Sequence, residues 1–290
     1  MGTESRNPRS YGLDKMNARE IVRLMNEEEQ SVVRALKTAE ESLAIVAEHA
    51  SEAFLNGGRV IYIGAGTSGR IAVMDAAEMP PTFGIEPDRF VALVSGGEGA
   101  VHKSVEDAED NEYAAVLALN ELHLSRKDIV VGLAASGRTP FVVAGVRHAR
   151  QKGVWTCGIA NNRSSALLEA ADLGILLDTG PEVLTGSTRL KAGTAQKLAL
   201  NRISTAAMVL SGKVVENLMV DVSAKNQKLK ERCARIVTEL SDTTFDEAWD
   251  YLEANDWSIR EVLNNLHQPS APTGVANPHK PLSFVRAPQT

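Results

Sequence analysis

Aromatic residues are scarce in this chain, 4% of 290, and cysteines number two, Cys157 and Cys233. Neither cysteine sits in a Cys-x-x-Cys pair or has a histidine at ligand spacing, which argues against a zinc site. Cys157, inside Val154-Trp155-Thr156-Cys157-Gly158-Ile159, reads as a small buried residue. The six histidines show no ligand spacing either. No apolar run approaches the length of a membrane span. The first residues, Met1 to Arg6, carry charges with no apolar core behind them, so no secretory signal is expected and a reducing cytoplasm is the expected compartment. A net charge of −6 disfavours nonspecific attraction to nucleic acids or membranes. The chain has no Walker motif, no nucleophile elbow and no internal repeat.

What the chain does have is ample apolar content, 43%, enough for a large packed core. Residues 1–16 read as polar and irregular. From Asn17 to about Asn56, apolar residues such as Ile21, Leu24, Val32 and Leu36 recur at helical spacing, and Asn56-Gly57-Gly58 ends the pattern. Five short apolar runs then alternate with helical stretches. The runs are Arg59–Ile63, Phe90–Val94, Asp128–Leu133, Val154–Ile159 and Gly174–Leu177. Between them lie Ser68–Met79, Val101–Leu122, Pro140–Lys152 and Ser165–Ala171. Runs that are continuous rather than alternating indicate strands covered on both faces. Strand–helix alternation indicates a doubly wound, mostly parallel five-stranded sheet in an α/β fold. Ser187 to about Leu210 reads as one long helix. The organisation expected is an N-terminal helical segment over 1–57, the α/β domain over 58–222, a small module of three short helices over 223–267, and a disordered tail over 268–290.

Three Gly- and hydroxyl-rich turns each follow an apolar run and open a helical stretch. They are Gly64-Ala65-Gly66-Thr67-Ser68-Gly69-Arg70, Ala135-Ser136-Gly137-Arg138-Thr139-Pro140 and Leu184-Thr185-Gly186-Ser187-Thr188-Arg189. A helix start offers free backbone N–H groups and a partial positive charge, and added hydroxyls make a cup for a phosphate monoester. The first turn also matches the dinucleotide fingerprint. That reading expects an acidic residue at the end of the second strand, where this chain has Val94-Ser95-Gly96-Gly97. N-capping by Ser and Thr explains each turn singly but not their shared composition.

Two carboxylate groups stand out. Glu78 precedes Met79-Pro80-Pro81, and a proline disfavours helix at the residue before it, so Glu78 is expected in the last helical turn. There the negative end of the helix dipole and apolar neighbours would raise its pKa, as a general acid requires. By position alone, a solvated glutamate on a frayed helix end accounts for it better. Glu106, Asp107, Glu109, Asp110 and Glu112 form an acidic cluster expected on the next helix, where a solvated face is the ordinary explanation. Glu109 adjoins Val105 and Ala108 at helical spacing, which puts it at the border of a cleft if there is one.

The stretches Tyr62–Arg70, Asp75–Gly84, Gly132–Pro140 and Gly180–Lys191 together closely resemble the N-acetylmuramic acid 6-phosphate etherase family. Thr3–Pro8 and Asn217–Val222 fit it too, and the resemblance runs to about residue 266. It implies a sugar isomerase (SIS) domain, a homodimer, and no cofactor or metal. It implies cleavage of the D-lactyl ether of N-acetylmuramic acid 6-phosphate, in cell-wall sugar recycling or scavenging. The family's catalytic pair maps onto Glu78, as acid toward lactate and base toward water, and Glu109, as base for the carbon acid. Substrate binding is expected from Gly66, Thr67, Ser68, Ser136, Gly137, Arg138, Thr139, Glu182, Ser187, Thr188 and Lys191. Met79 and Phe141 depart from the commoner residues without changing the motifs' polar groups. A noncatalytic phosphosugar sensor similar to animal glucokinase regulatory protein is the competing reading. A sugar-phosphate isomerase of the same fold is a third, though it would lack the Glu78-x-Pro-Pro motif.

Overall fold

The computed structural model describes residues 2–103, 105 and 107–267, so the expected tail lies outside the described residues. They divide into two compact units, one ending at Lys225 and one beginning at Asn226. No helix among the described residues is long and apolar enough to cross a membrane.

The first unit opens with two single 3-10 turns and three helices, α1 (Ala18–Glu28), α2 (Gln30–Thr38) and α3 (Glu40–Leu55). Asn17 and Glu20 form a reciprocal capping box that starts α1. Strands and helices then alternate: β1 (Val60–Gly64), α4 (Gly66–Phe83), β2 (Phe90–Val94), α5 (Gly99–His102), α6 (Glu112–Glu121), β3 (Ile129–Leu133), α7 (Pro140–Gln151), β4 (Trp155–Ala160), α8 (Ala166–Ala170), β5 (Leu173–Leu176) and α9 (Lys191–Leu210). A short antiparallel ribbon, β6 (Val214–Val215) and β7 (Leu218–Met219), closes the unit. The five long strands make one parallel sheet in the order β2-β1-β3-β4-β5, the doubly wound sheet expected from the alternation.

The continuous apolar runs have a direct cause. Every residue of β1 and β3 is buried. Val60 and Tyr62 pack with Val46, Met79, Phe83 and Leu200 on one face, while Ile61 and Ile63 pack with Leu119, Val142 and Val146 on the other. With both faces covered there is no solvent side to demand polar alternation. From β1 the chain goes to β2 on one side, then crosses to β3 on the other. Such a switch point leaves a crevice beyond the carboxyl ends of β1 and β3, where ligands bind in open α/β sheets.

At the opposite end of these strands, buried Asp128 accepts hydrogen bonds from the guanidinium and N–H of Arg59 and from the N–H of Ser125. Burial works to raise its pKa, but the Arg59 side chain and the backbone donors outweigh burial and hold it below the usual carboxylate range. A depressed folded-state pKa stabilises the fold fully above the unfolded value of about 3.9 and loses that contribution as pH falls through the folded value. Asp128→Asn is therefore expected to cost about 2 kcal/mol at neutral pH, with the difference from wild type shrinking below about pH 4. Urea unfolding at several pH values checks this; a pH-independent difference would contradict it.

Three expectations are corrected. The stretch 101–122 is not one helix: α5 ends at His102, Asp107 takes a left-handed φ of 61°, and Ala108–Asp110 is a 3-10 turn. Arg70 donates to the carbonyls of Val101 and Lys103, and Asn111 starts α6 afresh by accepting from Ala114 N–H. The acidic cluster thus lies mostly on a loop. Second, α4 continues through Pro80 and Pro81 to Phe83. Met79 and Phe83, one turn apart, are both buried in the core, and that burial overrides the local preference of the residue before proline. Glu78 therefore sits more than a turn inside the helix, and the expected dipole effect has no basis there. Third, α9 begins at Lys191 rather than Ser187, because Ser187–Leu190 forms turns.

The second unit contains α10 (Gln227–Leu240), α11 (Phe245–Ala254) and α12 (Ile259–His267). Asn226 caps α10, and Thr244 with Glu247 forms a full capping box on α11. Cys233, Val237, Leu252 and Val262 form buried contacts between the helices' apolar sides. Trp249 and Trp257 meet edge to face at 4.7 Å.

Candidate active site

The crevice is lined first by the turn between β1 and α4. Ala65 is the extended residue before α4, and Gly66, Thr67 and Ser68 form the helix's first turn. No side chain caps that end, so the leading N–H groups face the crevice with the positive end of the dipole. Gly69 is required by packing: a Cβ there would lie 2.7 Å from Val94 Cγ1 and 3.0 Å from Gly64 O. The glycine pattern thus serves a close helix–sheet approach, and no acidic residue follows directly on β2 to hold a ribose.

Gly66 has φ of +53°, and a Cβ on it would stand 3.1 Å from Glu109 Oε1. The carboxylate predicted as a base therefore lies against the mouth of α4. The 3-10 turn puts it there, and the Arg70 contacts with Val101 and Lys103 tether that loop to the first turns of α4. Loop placement by a distant arginine leaves no periodic mark in sequence, which is why helical spacing assigned Glu109 to the wrong kind of element.

The second turn follows β3 directly. Ser136 is half-buried and its Oγ accepts from Arg138 N–H at 3.2 Å. Gly137 packs beside Ser165, Arg138 is exposed, and Thr139 precedes Pro140 at the start of α7 without capping it. The third turn reaches the same crevice through α9. A Cβ on Gly193 would lie 3.3 Å from Thr67 Cγ2 and 3.4 Å from Thr188 O. Ser187 and Thr188 are half-buried.

Glu182 and Lys191 are more deeply placed. Glu182 is fully buried and accepts from the N–H groups of Lys191 and Ala192, at 3.1 and 2.9 Å, at the start of α9. Burial pushes its carboxyl pKa up, against the pull of those two N–H groups. Lys191 is buried and its Nζ pairs with Glu28 Oε2 at 2.7 Å. Asn7, from the N-terminal segment, donates to the same Glu28 oxygen, and Thr3 N–H donates to Asn162 Oδ1 beyond β4. Burial opposes the charge on Glu28, yet the Lys191 and Asn7 contacts keep its pKa below the usual range. This layer holds the third turn from behind.

Glu78 is exposed and lines a cavity of ≈ 180 Å³ with Met74, Asp75, Thr82, Lys197 and Ser204. It stands twelve residues beyond Gly66 on α4, about 18 Å along the axis. The structure thus brings Glu109 to the first of the three turns and leaves Glu78 near the far end of the helix. Sequence reasoning missed Asp75 in that cavity. Burial raises its pKa, while the hydroxyls of Tyr62 and Ser204 donate to it at 2.9 and 3.1 Å and work the other way. Its signal was an aspartate one turn before Glu78 on the same face. Also missed were Ser95 and Ser165, beyond the ends of β2 and β4, whose hydroxyls are buried with no partner among the described residues.

Comparison with known proteins matches residues 39–150 to the glucokinase regulatory protein N-terminal SIS domain and residues 102–205 to the SIS domain. The chain is 50% identical over 261 residues to an N-acetylmuramic acid 6-phosphate etherase of Geobacillus sp. (strain WCH70), covering 90% of this chain and 88% of that one. It is 51% identical over 273 residues to the N-acetylmuramic acid 6-phosphate etherase of Histophilus somni (strain 129Pt), covering 93% and 90%. Among solved structures, a phosphoheptose isomerase from Francisella tularensis shares the fold with a TM-score of 0.51 at 16% identity, over 68% of this chain and 100% of that one.

Proposed function

Since the chain belongs to the N-acetylmuramic acid 6-phosphate etherase family, we propose how its own residues divide that reaction among them. The enzyme is a carbon–oxygen lyase that splits the D-lactyl ether of N-acetylmuramic acid 6-phosphate into N-acetylglucosamine 6-phosphate and D-lactate. The ring-opened sugar carries an aldehyde, which acidifies the proton on the next carbon. Glu109 removes that proton. The electron pair is first held by the aldehyde as an enolate; it then forms a carbon–carbon double bond as the neighbouring carbon–oxygen bond breaks, and Glu78 protonates the departing lactate oxygen. Water then adds to the unsaturated aldehyde: Glu78 takes a proton from it, its hydroxyl joins the carbon that lost lactate, and Glu109 returns the first proton.

The observation that carries this reading is the Glu109 carboxylate against Gly66, at the uncapped mouth of α4. An acceptor at that place suits the removal of a proton from a sugar carbon while the neighbouring N–H and hydroxyl groups hold the sugar. The phosphate and sugar hydroxyls are bound by Gly66, Thr67 and Ser68, by Ser136, Gly137, Arg138 and Thr139, and by Ser187 and Thr188. Glu182 and Lys191 act from behind by fixing the third turn. The enzyme works as a homodimer in the cytoplasm on sugar recovered from the cell wall, a location supported by two unpaired, buried thiols, Cys157 and Cys233.

Incubation with N-acetylmuramic acid 6-phosphate should release D-lactate in step with N-acetylglucosamine 6-phosphate. Folded protein that binds the phosphosugar but releases no lactate would instead match a noncatalytic sensor.

A further inference from the structure

We propose that Lys197, with Asn201 beside it, binds the carboxylate of the lactyl group, which makes the Glu78 cavity the lactyl subsite and Lys197 the residue that selects an acid-bearing ether. This rests on the etherase reading above and deepens it. The first support is connectivity. In the substrate, the carboxylate is attached to the same carbon as the ether oxygen. Glu78 must come within about 3 Å of that oxygen to protonate it. The carboxylate then lies within a side chain's reach of Glu78, and a group that neutralises it belongs in the same cavity. Lys197 is the one basic side chain of that lining among the described residues. The volume agrees. At ≈ 180 Å³ the cavity is smaller than the about 300–1,000 Å³ of pockets that enclose drug-sized ligands, so it suits a three-carbon acid rather than a whole phosphosugar.

The second support is the set of donors. Lys197 and Asn201 are four residues apart on α9 and share a face. Lys197 Nζ donates to Asn201 Oδ1 at 2.7 Å. An ammonium group has three donors and no acceptor, so this contact turns the amide oxygen toward Lys197 and leaves the Asn201 NH2 group to donate elsewhere. The other two Lys197 donors and that NH2 group have no partner among the described residues. Together they form a half-buried fork suited to two carboxylate oxygens. Ile71 and Met74 give the cavity an apolar wall for the lactyl methyl group. Two acidic side chains face the same space. Glu78 carries a proton when it acts as the acid. Asp75 already accepts from the hydroxyls of Tyr62 and Ser204, one at each oxygen. The Lys197 charge acts on Asp75 through space, without a direct ion pair, and works to lower its pKa against burial. Offsetting Asp75 is thus the ordinary duty of such a lysine, and the experiment must separate that duty from ligand binding.

The test compares N-acetylmuramic acid 6-phosphate with its analogue whose lactyl carboxylate is a primary amide. Wild type, Lys197→Met and Lys197→Arg are assayed on both, and kcat/KM is read from release of N-acetylglucosamine 6-phosphate. A hydrogen bond to a charged group contributes about 10–10²-fold. Wild type should therefore prefer the acid to the amide by about that factor. Lys197→Met should lose the preference by losing rate on the acid, and Lys197→Arg, which keeps the charge, should retain part of it. If Lys197→Met slows both substrates equally and keeps the preference, Lys197 serves Asp75 alone; the lactyl subsite is overturned and the etherase reading stands. A wild-type enzyme that turns over acid and amide equally well would also overturn it, and that comparison needs no variant to fold. Wild-type protein that releases no lactate from the acid would instead overturn the etherase reading and this inference with it.

Discussion

Glu78→Ala is expected to lower D-lactate release by about 10²–10⁴-fold, the usual contribution of a positioned general acid. A loss of 10³ corresponds to about 4 kcal/mol of transition-state stabilisation. The departing group is an alkoxide unless it is protonated as the bond breaks, and alanine has no proton to supply. The fold should survive, because the Glu78 side chain is exposed and takes no part in the core that Met79 and Phe83 build. The first proton transfer should also survive. In deuterated water the variant should therefore exchange the proton next to the aldehyde slowly while the ether stays intact, a signature visible by proton NMR. Lactate release at the wild-type rate would remove Glu78 from the reaction.

Glu109→Gln is expected to produce a comparable loss with the opposite isotopic signature. An amide does not accept a proton near neutral pH, so neither lactate release nor exchange at the carbon next to the aldehyde should be detected above about 10²–10⁴-fold below wild type. Glutamine keeps the length of the side chain beside Gly66, so the turn's shape should be retained. Exchange at the wild-type rate in Glu109→Gln, with exchange lost in Glu78→Ala, would reverse the two roles. The two variants measured together thus assign base and acid by chemistry rather than by rate alone.

Much of this was legible in the chain. The five apolar runs became β1 to β5 within a residue or two, and in β1 and β3, buried on both faces, the run has to be continuously apolar. The three hydroxyl turns stood out because glycine and serine directly after such runs have a physical use there. Less legible was everything set by contacts distant in sequence. Pro80 and Pro81 suggested an early end to α4, but Phe83 is buried against the sheet and draws the helix onward. The acidic stretch suggested a helix, but Arg70, more than thirty residues earlier, binds the Val101 and Lys103 carbonyls just before it, and Asp107 takes a left-handed φ. Glu182 and Lys191 carried no mark to distinguish a substrate contact from the buried support they form with the start of α9 and with Glu28.

The family resemblance singled out the pair of glutamates; the sequence by itself determined the doubly wound sheet and the three turns. These depend on local composition and on periodicity, which are properties of neighbouring residues. Only the tertiary structure decided that Glu109 lies against Gly66 while Glu78 stands about 18 Å away along α4. A helix separates its ends rigidly, and a loop goes where distant side chains tie it. Whether two catalytic groups meet is therefore a matter of three-dimensional reach, which a one-dimensional pattern does not encode.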